Sequence, residues 1–125
     1  MSGKYGETLI IELLNSFPEF EKSEERRDLF DEDGPYIYFS YFGEYILKEI
    51  NKNKNSKLII RFFDFINKYF ESENLSATTW DLFNIEFFFR LHLKKEYEEI
   101  ANQYLKGKAL LAFSEKKGRP SNDKQ

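Results

Sequence analysis

Apolar residues recur at helical spacing in two Phe-rich stretches, and the rest of the chain reads as cover for them. In residues 58–70 (LIIRFFDFINKYF), Leu58, Phe62, Phe65, Ile66 and Tyr69 share one face, and Ile59, Phe63 and Phe70 an adjacent one. In residues 80–93 (WDLFNIEFFFRLHL), Trp80, Phe83, Phe87, Phe88 and Leu91 share one face, and Leu82, Ile85, Phe89 and Leu93 its neighbour. Apolar faces this wide predict buried helices. Ser56 or Asn55 caps the first, and Ser76, Thr78 or Thr79 the second. The short connection 71–79 makes the two antiparallel neighbours. The rival reading, two buried strands, fails on run length and on the absence of valine. Trp80 is expected to anchor the core or plug the start of its helix. Buried positions are expected at Phe62, Phe65, Ile66, Phe87, Phe88 and Leu91.

The same spacing predicts helices over 7–17, 36–50 and 95–106, with shorter helical pieces at 23–30 and 108–113. Pro18 ends the first or opens the next turn. Leu29 and Phe30 are expected to point inward. The Asp33-Gly34-Pro35 turn starts the 36–50 helix. Residues 36–42 alternate like a strand and Gly43 is a poor helix former, yet the longer period is helical. Gly107 breaks the 95–106 segment. Residues 1–6 read as frayed and 114–125 (SEKKGRPSNDKQ) as a disordered tail. The expected architecture is all-α: one domain over 1–113, five to six helices, in a HEAT-like or irregular bundle.

Charges interrupt the central helices. Arg61 with Asp64 (i,i+3) and Glu86 with Arg90 (i,i+4) read as solvated pairs. The sharper arrangement, Asp64 facing Glu86 for acid–base or metal chemistry, has no further ligand or nucleophile at hand. The chain has no GxGxxG, Walker A, HExxH or CxxC pattern, no cysteine and one histidine, His92. His92 reads as a helix C-terminal residue favoured by the dipole, with general base the lesser reading. No catalytic residue, metal site or cofactor is assigned.

A net charge of −3 argues against nucleic acid as a partner, and Lys116, Lys117 and Arg119 make too small a basic patch to change that. The absence of cysteine suits a reducing cytoplasm, and neither a signal peptide nor a membrane span is expected. The 14 Phe and 8 Tyr accompany many Ile and Asn and no Val. All are residues of AT-rich codons, so base composition accounts for part of the aromatic load.

Charge is not spread evenly. Residues 19–33 hold eight acidic residues against three basic ones, net −5, while the whole chain carries −3. Concentrated carboxylates steer a basic partner and specify it. The expected partner-binding set is Glu19, Phe20, Glu24, Glu25, Asp28, Asp31, Glu32, Asp33 and Tyr36. The aromatics Phe20, Phe30, Tyr36 and Tyr38 are the candidates for affinity. The simpler reading is a solvated face.

From Tyr41 on, the residues Tyr41-Phe42-Gly43-Glu44-Tyr45-Ile46, Phe62-Phe63-Asp64-Phe65-Ile66-Asn67, Asn84-Ile85-Glu86-Phe87-Phe88 and Tyr104-Leu105-Lys106-Gly107 form a further pattern. It resembles a family of small uncharacterised bacterial helical proteins with an "FGD" helix, an "I-F-x-F-I-E" helix and a "V-x-F-L-E" helix. The chain departs from it at Asn67, where that pattern carries Glu. Proteins of this size and type resemble immunity proteins encoded beside secreted bacterial toxins. The resemblance implies a non-catalytic cytoplasmic role; joined with the acidic segment it suggests an immunity protein that binds and blocks a basic partner such as a toxin domain. The alternative is a small-ligand binder or enzyme with a site between the central helices, using Asp64, Glu86 and nearby tyrosines. Oligomeric state is left open.

Overall fold

The structure, a computed structural model, describes residues 2–30, 32–71 and 77–118. Among these every regular element is helical. Helix α1 (Ser2–Ser16) begins earlier than the apolar spacing suggests. Pro18 then opens a 3₁₀ turn (Pro18–Lys22), doing both jobs expected of it. Ser23 caps the short α2 (Glu24–Arg27), its hydroxyl accepting from the Arg26 amide at 3.1 Å. Helices α3 (Pro35–Lys52) and α4 (Lys57–Glu71) follow. The Ser56 hydroxyl accepts from the Ile59 amide at 3.3 Å, as a cap should. Helix α5 runs over residues 77–91, and α6 (Lys95–Tyr104) and α7 (Gly107–Gly118) complete the described chain. The expected tail therefore begins as helix as far as Gly118. Residues 119–125 lie outside the described residues, as does Ser76 among the proposed caps.

The core is aromatic and continuous. Phe42 sits at its centre, 5.0 Å from the Phe17 ring, 5.3 Å from Phe20, 6.0 Å from Phe62 and 5.9 Å from Phe87. Tilted and edge-on rings at such spacings suit the aromatic quadrupole. The rings also give the helix directions. Phe62 meets Phe87 while Phe70 meets Trp80, so α4 and α5 are antiparallel. Phe39 meets Phe83 and Gly43 meets Arg90, so α3 and α5 run parallel with α4 packed against both. All six expected core positions are buried, as is Leu29.

Helix α5 widens into a π turn over Phe83–Phe88, where the Phe89 amide reaches back to the Asn84 carbonyl. The wider turn buries Phe83, Phe87 and Phe88 together, with Phe88 turned to Phe70 and Phe113. It splits the second apolar face read from the sequence. Leu82 is buried, but Ile85, Phe89 and Leu93 are 49%, 56% and 58% exposed. Trp80, expected as a core anchor, is 38% exposed and covers the edge of Phe70.

Two glycines are fixed by their surroundings. A Cβ on Gly43 would stand 2.9 Å from the Glu86 carbonyl oxygen and 3.1 Å from Arg90 Cδ, so α3 and α5 approach this closely only because Gly43 lacks one. Gly107 has φ +53°, a conformation that favours glycine, and leads into α7 against Glu71. Asn67 holds the same corner. Its amide donates to the Tyr104 carbonyl at 3.0 Å and its carbonyl accepts from the Lys106 amide at 2.9 Å. A glutamate carboxylate accepts but does not donate, which gives the departure at Asn67 a physical reason.

Candidate functional site

The acidic segment folds as the 3₁₀ turn and α2, laid against α3. Its carboxylates are not all free. Both oxygens of Glu19 accept from Arg61 Nη2 at 2.8 Å, and the Arg61 guanidinium lies 5.6 Å from the Phe17 ring. Burial pushes the Glu19 carboxyl up, but the hydrogen bonds and charge of Arg61 outweigh it, leaving Glu19 below its ordinary value. This corrects the expected Arg61–Asp64 pair: Arg61 turns to Glu19, and Asp64 is left exposed. Glu21 pairs with Arg26 at 3.1 Å. Lys48 of α3 bridges Glu25 at 2.8 Å and Glu24 at 3.3 Å, and these bonds hold the lysine above its ordinary value. Asp33 turns inward to accept from the Phe30 amide at 2.8 Å.

What remains open is a groove of about 280 Å³ between α2 and α3, lined by Glu24, Glu25, Asp28, Tyr41 and Glu44. Asp28 and Glu32 are exposed and Tyr36 is 41% exposed. Asp31 lies outside the described residues. Two expected contact residues are placed elsewhere. Phe20 is fully buried against Phe42 and Tyr45, and Tyr38 is buried beside Arg26. Both are structural. Phe30, expected inward, is 66% exposed, and Ile37 is 45% exposed. Inside a 3₁₀ turn and a four-residue helix there is no run long enough for spacing to set which ring turns in.

Tyr41 and Glu44 were not legible as site residues. They belong to α3, and only the packing of α2 against α3 brings them to the groove. Glu44 is tied to the core through Arg90, whose Nε donates to it at 3.2 Å. Arg90 Nη1 donates to the Glu86 carboxylate and carbonyl, both at 2.7 Å, and Nη2 to the Ser40 hydroxyl at 3.0 Å. Glu86 and Arg90 side chains are only 12% and 15% exposed, so this pair is a helix clamp and not a solvated stripe.

The clamp stands where α3 meets the two central helices. The space beside Glu86 is about 10 Å³, enough for one water at most, and Asp64 does not line it. No group of three or more metal-ligating side chains occurs among the described residues. A larger open depression, about 410 Å³, lies between α1 and α4, lined by Glu12, Asn15, Ser16, Phe65, Lys68 and Tyr69. His92 does cap α5, as expected, but both ring nitrogens are engaged: Nδ1 with Glu98 and Nε2 with the Phe113 carbonyl, each at 2.9 Å. The ring also stacks on Phe113 at 3.9 Å. It joins α5, α6 and α7. No helix among the described residues is long and apolar enough to cross a membrane.

Residues 10–117 match the model of a domain of unknown function, DUF7674, and the chain belongs to that family. No curated protein and no solved structure matches the chain.

Proposed function

We propose that this protein is a non-catalytic binding module that docks a basic protein partner on the face formed by α2 and the first half of α3. The observation that carries the reading is the groove in which Glu24, Asp28 and Glu44 stand around Tyr41, with Lys48 and Arg27 paired to Glu24 and Arg90 paired to Glu44 at its edges. A lysine or arginine entering it meets the Asp28 carboxylate, which has no ion-pair partner among the described residues, the exposed carboxylates of Glu24 and Glu44, whose pairs it can share, and an aromatic ring. Phe30, Tyr36 and Ile37 stand exposed in the segment from the end of α2 to the first turn of α3 and supply the apolar contact that charge alone lacks. The partner-contact set is thus Glu24, Asp28, Glu32, Tyr36, Phe30, Tyr41 and Glu44, with Glu19, Glu25 and Asp33 serving internal partners.

The resemblance to immunity proteins supplies the setting. A secreted toxin domain that binds nucleic acid is basic, and an acidic face with protruding aromatics competes for the surface that phosphates use. The inhibitor then acts in the cytoplasm, without a cofactor and without chemistry of its own. The test begins with the captured partner and compares its association with wild type and with a Glu24→Lys, Asp28→Lys, Glu32→Lys variant. Association at low salt falls at least about tenfold for a folded variant, and the difference shrinks at high salt. Equal rates at low salt would sink the reading and point to the depression between α1 and α4 as the place to look for a small ligand.

A further inference from the structure

We infer that the exposed stripe on α5 is a self-association face on which two copies pair antiparallel about a two-fold axis. Ile85, Phe89 and Leu93 recur every fourth residue and are 49%, 56% and 58% exposed. Ile85 and Phe89 stand one turn apart where α5 widens into the π turn, and Leu93 follows in the bend just past the helix end. They are the apolar side chains of this segment that stand farthest out, Trp80 being laid on Phe70.

Charge at the two ends of the stripe selects a second copy as the occupant. Asp81 lies one step before Ile85, and Lys94 and Lys95 follow Leu93. Asp81 and Lys95 have no ion-pair partner among the described residues; Lys94 lies 5.6 Å from the Tyr97 ring. A stripe that is acidic at one end, apolar in the middle and basic at the other is complementary to itself when reversed. With the two-fold axis between Ile85 and Phe89, each Ile85 faces the other copy's Phe89 and each Asp81 faces the other copy's Lys94 and Lys95. The acidic groove on the α2 side offers no such balance, and a basic partner has little to hold here. Three apolar side chains are the centre of an interface, not the roughly 800 Å² per partner of a tight one, so the pairing is weak, with Kd on the order of 10 µM.

The experiment is sedimentation velocity of the full chain from about 1 to 500 µM, a range that brackets a weak dimer. Wild type shifts from monomer to dimer mass with concentration. Phe89→Glu and Ile85→Lys, each checked for an unchanged far-ultraviolet spectrum and melting curve, raise Kd at least about thirtyfold. Asp81→Lys and Lys95→Glu each weaken the dimer at low salt, and together they restore it. Wild type that stays monomeric throughout overturns the inference, whatever else binds the stripe. A dimer indifferent to Phe89→Glu and Ile85→Lys overturns the face, and a double charge variant weaker than both singles overturns the antiparallel register.

Discussion

The aromatic centre and the acidic edge of this molecule are built on opposite terms. At the centre, Phe42 touches rings from the 3₁₀ turn, α4 and α5, and every neighbour is another buried side chain. At the edge, charges are settled in small local pairings, and several partners are far away in sequence: Arg61 for Glu19, Lys48 for Glu25, Arg90 for Glu44. Burial of rings is collective and non-directional, so changing one member is felt by all. Exposed ion pairs are local and screened, so changing one is felt little. The edge can therefore vary to suit a partner while the centre holds the fold.

The largest effects belong to the centre. Phe42→Ala and Phe87→Ala each remove a ring that is at most 1% exposed, and each costs about 3–5 kcal/mol in chemical denaturation, enough to unfold many domains of this size. Parent-like midpoints would mean that the ring network is not what holds the helices. Gly43→Ala comes next. Alanine raises helix propensity by about 1 kcal/mol, but its Cβ meets the Glu86 carbonyl of α5, a backbone atom that cannot swing away. Overpacking of this kind costs about 1–3 kcal/mol, so the variant melts below wild type; a higher melting temperature would show that α3 and α5 are not in close contact.

A subtler difference appears only in alkali. Burial pushes the Tyr45 phenol up to about 12, helped by the nearby Glu49 and Glu19 carboxylates. The folded value lies above the unfolded one near 10, so the protection is complete below about pH 10 and is lost as pH rises toward 12. Wild type loses stability across that window, and Tyr45→Phe, which has no proton to release, loses less. Identical pH profiles would count against a buried phenol.

The smallest effect is at the edge. Arg61→Ala removes the Glu19 partner, both side chains being over two-fifths exposed, and costs about 1 kcal/mol or less at neutral pH. Because the Glu19 value is lowered in the folded state, that contribution is present above the ordinary carboxylate range. It fades as pH falls through the folded value, so the variant and wild type converge in acid. A loss as large as that of Phe87→Ala would erase the contrast between the two regions.

The same contrast explains what the sequence disclosed. Helical spacing reports burial, so α4 and its buried set from Leu58 to Phe70 were legible, as were the Ser56 cap and the antiparallel pairing with α5. Spacing reports nothing about a π turn, so the outward stripe of Ile85, Phe89 and Leu93 was read as part of the core. It is equally silent about which of Phe20 and Phe30 turns inward in a segment too short to have a period. Ion pairs between distant residues leave no local trace. Local spacing pairs Arg61 with Asp64, three residues away, although its partner is Glu19, and Glu44 joins the groove only through the packing of α2 on α3.

Hydrogen–deuterium exchange of the full chain, with and without the captured basic partner, tests the central claim most directly. The account predicts that slowed exchange gathers on α2 and the first half of α3, around Glu24, Asp28, Tyr41 and Glu44, and leaves α4 unchanged. Slowing confined to the α1–α4 depression around Asn15 and Lys68, with α2 indifferent, would contradict it.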